Sequence, residues 1–144
     1  MLTIGRPRVA FAYVWLTFLI AGLVFLQGFL FGAFYSEGNR DYMDIHRLVG
    51  EYSGNVTILL VVLAFLARFP GELRIGWWAL AWSVLWNVQV WVVGDGIKED
   101  RWLEMIHIPL GMFLVVSGMF LAYRCLNVLR SASTKTSLSG GSSK

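Results

Sequence analysis

Residues 9–34 read VAFAYVWLTFLIAGLVFLQGFLFGAF, an apolar run without a single charged side chain. It exceeds the roughly 20 residues with which an α-helix crosses the hydrocarbon core of a bilayer. It is also longer than the apolar stretch of about 7–15 residues in a secretory signal, so it is read as a membrane span. Three more runs follow, at 46–66, 75–93 and 105–123, each close to spanning length. Lipid offers no water to an unpaired N–H or C=O, so segments of this length must close their hydrogen bonds internally, as helices. The expected fold is therefore all-α: an integral membrane four-helix bundle over residues 1–130. Composition agrees, since 57% hydrophobic and only 15% charged residues are unlike a soluble domain.

Between the runs the charges segregate. Arg6, Arg8, Arg68, Arg74, Arg124, Arg130, Lys135 and Lys144 fall on one side of the expected membrane, opposed only by Glu72. Arg40, Arg47, Lys98 and Arg101 fall on the other, outnumbered by Glu37, Asp41, Asp44, Glu51, Asp95, Glu99, Asp100 and Glu104. The positive-inside rule assigns the basic side and both termini to the cytoplasm, with the chain in the inner (cell) membrane of a bacterium. The net charge of +3 is then a by-product of topology and implies no nucleic-acid partner. Pro70-Gly71 and Asp95-Gly96 mark turns between spans. Residues 131–144, rich in Ser, Thr and Gly, are expected to form a flexible tail. Cys125 is the only cysteine, so the chain forms no internal disulfide, and it is read as a small membrane-facing residue.

The chain contains two histidines, in matching places. One stands in Ile45-His46-Arg47-Leu48-Val49-Gly50 and the other in Ile106-His107-Ile108-Pro109-Leu110-Gly111. Each lies just past the last outer charges, roughly one helical turn into a span. Ionisable residues at membrane depth are functional candidates by default. Gln27 and Gln89 occupy matching positions too, each with a glycine five residues on (Gly32, Gly94) and a histidine 19 or 18 residues on. Spans 1–2 and 3–4 therefore read as two copies of one hairpin, an internal repeat of a kind familiar in membrane folds.

The helical faces below the histidines are slim. His46 is followed by Gly50, Ser53 and Thr57, and His107 by Gly111, Leu114, Gly118 and Leu121. Small residues let a flat macrocycle approach the backbone, and Leu114 and Leu121 suit its apolar faces, as a haem between helices requires. The same glycines, with Gly28-x3-Gly32 and Gly50-x3-Gly54, also suit plain helix packing in membranes. A structural zinc takes four Cys or His ligands and a di-iron site takes several Glu with two Glu-x-x-His motifs, and neither set is present. Bis-imidazole ligation of one haem b needs only His46 and His107. Glu104, one turn before His107, is either a hydrogen-bond partner of that imidazole or a solvated helix-start carboxylate. Arg47 is the first choice for a propionate partner, the alternative being lipid headgroups. Glu51 is either a proton- or quinone-site carboxylate or an interfacial residue paired with a neighbour. Gln27, Asn87 and Gln89 are expected to hydrogen-bond between helices. Trp77, Trp78, Trp91 and Trp102 suit interfacial belts, and the deeper Trp82 and Trp86 are expected to face lipid or another subunit.

These histidine motifs, with Gly50 and Gly111 one turn on, resemble a four-helix half of the haem A synthase family. Members of that family consist of two fused four-helix bundles, with histidines at the outer ends of the second and fourth helices of each half and haem between them. The resemblance implies that His46 and His107 are axial ligands on the outer side. It spans all four segments in layout and only the histidine motifs in sequence. The chain departs from the family in having one half and no outer-loop cysteine pair, with Asp41 or Asp44 as the nearest acidic residue before His46. One half holds one haem and supplies no second haem as substrate.

Three functions follow as expectations. The first is a membrane b-type cytochrome exchanging single electrons with quinone or a partner subunit. The second is a non-redox accessory or assembly subunit of a larger membrane complex, and the third a haem-modifying or haem-delivery protein. Its partners would be the lipid bilayer, quinone, and a second copy or a larger complex.

Overall fold

The computed structural model describes residues 5–69, 73–94, 96 and 100–140. Helix α1 runs Pro7–Glu37, α2 Arg40–Ala67, α3 Leu73–Asn87 and α4 Glu104–Gly140. Helix α3 continues directly as a π-helical segment, Val88–Gly94, and a short 3-10 turn, Arg101–Leu103, leads into α4. Among the described residues three helices are long and apolar enough to cross a membrane: α1, α2 and the Met105–Ser131 part of α4. The 15 residues of α3 fall short of spanning length as an α-helix, and its π-helical extension adds 7.

Helix ends are set by capping chemistry. Pro7 opens α1, where its fixed φ is preorganised and its missing N–H costs nothing. Gly38 ends α1 with φ 69°, and its N–H donates to the Phe34 carbonyl. The absent Cβ makes that left-handed turn cheap. Asn39 then caps α2, its side-chain oxygen accepting from the Asp41 N–H at 2.9 Å. The connection between the first two helices is therefore just Gly38-Asn39, and the charged stretch Arg40–Ile45, outside the apolar run, is helical. The apolar run marks where lipid is, whereas the helix extends on until a cap stops it. At the opposite end the N–H groups of Gly5 and Arg6 donate to the carbonyls of Arg68 and Ala67, satisfying the end of α2.

Helix α1 packs on both α2 and α4, and α3 packs on α2, so α2 and α4 lie diagonally across the bundle. The core is built from Tyr13, Val14, Ile20, Leu60, Phe69, Trp82, Trp86 and Leu114. Trp82 and Trp86 thus face inward, contrary to the expectation of a lipid- or subunit-facing stripe. The reason is room: Gly118 leaves space for the Trp82 ring, and the Trp82 Nε1–H donates to the Leu114 carbonyl at 3.0 Å. Cys125 is likewise fully buried against α1 rather than membrane-facing. Trp77, Trp78, Trp91 and Trp102 are exposed. A polar stitch joins α2 to α3: Thr57 Oγ1 and Ser83 Oγ are 2.9 Å apart, and Asn87 Nδ2 donates to the Ser83 carbonyl at 2.8 Å.

The expected tail differs as well. Helix α4 continues past residue 131 to Gly140, since no proline and no earlier glycine interrupts the polar stretch. The turn at Pro70-Gly71, together with Asp95 and residues 141–144, lies outside the described residues.

Candidate functional site

The structure brings the two histidines together. His46 stands in the second turn of α2 and His107 in the first turn of α4, and their ring centroids are 6.1 Å apart at an interplanar angle of 52°. Both residues are half-buried, and the Phe31 ring lies 6.0 Å from His46. The pair sits on the bundle diagonal, where side chains of α2 and α4 meet without the helices packing directly.

Each histidine is held by a glutamine from the preceding helix of its hairpin. Gln27 Nε2 donates to the His46 carbonyl at 2.8 Å, and Gln89 Nε2 donates to the His107 carbonyl at 2.7 Å. The matching glycines admit these amides. A Cβ at Gly50 would stand 2.9 Å from Gln27 Nε2, and one at Gly111 would stand 3.5 Å from Gln89 Nε2. Gln27 and Gln89 thus make the interhelical bonds expected of them, and Asn87 does so toward Thr57.

The rings themselves are treated differently. His46 Nδ1 lies 3.0 Å from the Gln27 carbonyl oxygen, which fixes the ring and leaves Nε2 turned away from that bond. A histidine that ligates a metal typically donates its other N–H to a carbonyl in this way. His107 Nδ1 and Gln89 Oε1 are both buried with no partner among the described residues. The Glu104 side chain, expected as a partner of His107, lies outside what is described.

The remaining expected site residues have other neighbours. Arg47 Nε donates to Glu51 Oε1 at 2.8 Å across one turn of α2, so Glu51 has a charged neighbour on its own helix. Gly118 faces Trp82, with a Cβ there 2.6 Å from the ring, and Leu114 is buried in the core. Gly50 and Gly111 accommodate the glutamines. All three glycines slim their helices for protein side chains, the packing alternative of the two readings above. Among the described residues no three of His, Cys, Asp and Glu converge to hold a metal ion. A metal at the histidine pair would therefore need most of its coordination from a chelate that arrives with it.

Sequence reasoning missed the π-helical turn that carries Gln89. Its signal is the β-branched run Val88-Gln89-Val90-Trp91-Val92-Val93, which is poor α-helix material. π-turns inside α-helices occur often at functional sites. Comparison with protein-family models, with curated proteins and with solved structures finds no match for the chain.

Proposed function

We propose that the chain is a four-span membrane b-type cytochrome that holds one haem between His46 and His107 and passes single electrons to or from quinone or a partner subunit. In this reading α3 and its π-helical extension together form the third span, both termini are cytoplasmic, and the two glutamine-held histidines are the traces of a duplicated hairpin in a bacterial cell membrane.

One observation carries the reading. His46 and His107 would be the residues to hold the iron, since two imidazoles from different helices are brought to one place. The His46–His107 separation is 6.1 Å. The Gln27 carbonyl on His46 Nδ1 supports the same role, because it holds one ring nitrogen and frees the other. When bound, haem supplies a reversible one-electron couple. The protein's part is to hold the backbone at both histidines by the Gln27 and Gln89 clamps, to fix the His46 ring at Nδ1, and to exclude water with Phe31 and the apolar helices around the pair.

The test is the visible spectrum of the purified protein in detergent, oxidised and dithionite-reduced, beside His46→Ala and His107→Ala. The expected result is a Soret band with sharp reduced α and β bands, altered or lost in both variants. A wild type that stays colourless after growth with added haem rejects the reading. A specific observation then favours the accessory-subunit alternative: Gly50, Gly111 and Gly118 are filled by Gln27, Gln89 and Trp82, as in a bundle packed for its own sake.

A further inference from the structure

We infer that the groove between α2 and α3, away from the histidine pair, binds a lipid-soluble quinol whose ring hydroxyl donates a hydrogen bond to Asn87 Oδ1. The groove and its hydrogen-bond balance stand without a haem. The choice of a quinol among hydroxylated lipids rests on the electron-transfer reading above.

The groove has a volume of about 540 Å³, inside the range of roughly 300–1,000 Å³ usual for small-molecule sites. Ile58 and Val62 of α2 and Val84 and Trp91 of the facing helix stand in its walls, all four exposed. Two polar side chains, Ser83 and Asn87, lie among these apolar ones. Walls alone would ask only for acyl chains, but a polar atom at membrane depth asks for a partner.

Counting protons shows which kind of partner. Thr57 Oγ1 donates to the Gly54 carbonyl at 2.6 Å, so the proton in the 2.9 Å bond between Thr57 and Ser83 is the Ser83 hydroxyl's. One N–H of Asn87 donates to the Ser83 carbonyl at 2.8 Å, and the other points to Thr57 Oγ1 at 3.4 Å. A carbonyl only accepts, so the first of these bonds also fixes which end of the Asn87 amide is oxygen. Asn87 Oδ1 remains. It has no partner among the described residues, and it belongs to a half-buried side chain that lines the groove. Trp86 Nε1, a buried donor without a partner among the described residues, belongs to a residue outside the groove's lining. The Trp91 N–H serves a quinone oxygen and a quinol oxygen alike. Discrimination therefore falls on Asn87, whose lone pairs accept from a hydroxyl and repel a carbonyl.

Depth and shape narrow the class. The 7 residues of the π-helical segment separate Asn87 from the end of its helix, on the order of 10 Å. Phospholipid headgroups stay at the interface, so lipid covering this face brings chains and no donor. The Trp91 indole gives an aromatic ring a flat partner, which a quinol ring uses and a plain alcohol chain does not.

The experiment is an anaerobic calorimetric titration of the purified chain in detergent with decylubiquinol and with decylubiquinone. The quinol is added to reduced protein and the quinone to oxidised protein, so no electron is exchanged. The quinol is expected to bind about 2- to 10-fold tighter, the worth of one neutral hydrogen bond. Asn87→Leu, similar in outline and without the lone pairs, is expected to bring that ratio close to one. Val84→Phe fills the groove from an exposed wall and leaves every hydrogen bond above in place, so it is expected to weaken both probes about tenfold or more. Val84→Phe keeps the test decisive if Asn87→Leu fails to fold. Quinone binding as tight as quinol in the wild type overturns the inference, as does an undiminished preference in Asn87→Leu. Wild-type affinity in Val84→Phe overturns it by placing the ligand elsewhere, and dodecanol displacing the quinol at equal concentration overturns the ring. A protein with a Soret band and no preference sinks this inference and leaves the cytochrome reading; a colourless protein with the preference does the reverse.

Discussion

In the hairpin of α1 and α2 the turn is two residues, Gly38 and Asn39, both helices are regular, and the histidine is held twice by Gln27, at its carbonyl and at its ring. In the hairpin of α3 and α4 the outgoing helix loosens into a π-turn, the incoming one starts with a 3-10 turn and a proline, and the histidine is held once, at its carbonyl. The same glutamine, histidine and glycine occur in both. The difference teaches that a shared motif fixes the depth at which a side chain enters the bundle, while the regularity of the surrounding backbone fixes how firmly its ring is oriented.

Substitutions at the glycines break this comparison most sharply. The largest effect is expected at Gly118→Ala, in the second hairpin, because the new Cβ would meet the Trp82 ring at 2.6 Å. The ring is rigid and its Nε1 is bonded to Leu114, so it cannot retreat cheaply. A loss of about 1–3 kcal/mol is expected for such overpacking, measured by thermal or denaturant unfolding in detergent. Gly22→Ala, with open space at its Cβ, is the matching control in the first hairpin and should leave the midpoint unchanged.

The next effect separates the two clamps. Gly50→Ala pushes on Gln27 Nε2 at 2.9 Å and should break its bond to the His46 carbonyl, at a cost of about 0.6–1.7 kcal/mol. Gly111→Ala meets Gln89 Nε2 at an ordinary 3.5 Å and should be close to neutral. Equal losses in the two variants would remove the asymmetry argued here. Gln89→Leu should be milder than Gln27→Leu, because it also removes the unpartnered Oε1 and with it a buried desolvation cost. Unfolding midpoints of the two variants, compared side by side, decide the point. The smallest effect is expected from Glu51→Gln, which removes the charge of an exposed i,i+4 pair with Arg47 worth about 0.2–1 kcal/mol, and the loss should shrink further with added salt.

Much of the site was legible in the sequence and some of it was not. The matched spacing of Gln27 with His46 and of Gln89 with His107 pointed to two equivalent hairpins, and both glutamines bond the carbonyls of those histidines. Asn87 was read as an interhelical hydrogen-bonding residue and is one. Trp82 and Trp86 were misplaced because Ser83 and Asn87, which bond toward Thr57 on α2, do not say which way the tryptophans beside them turn. The rings are as apolar as the lipid outside, and the groove left by Gly118 decides that the Trp82 ring turns inward. Cys125 was misplaced for the same reason.

Local physics in the sequence fixes the all-helical class, three helices of spanning length, the chemical types available for a site, and the Gly38-Asn39 stop-and-start between the first two helices, which the hydropathy reading did not pick out. These are local matters: apolar length against bilayer thickness, a left-handed glycine, a capping amide. Only the tertiary structure decided that the histidines meet across the diagonal of α2 and α4, that the glycines receive glutamine and tryptophan side chains, and that the Gln27 carbonyl ties the His46 ring while His107 Nδ1 has no partner among the described residues. Those outcomes depend on which faces of different helices stand opposite one another. In a chain whose helices are apolar all round, that choice is made by the fit of side chains in three dimensions.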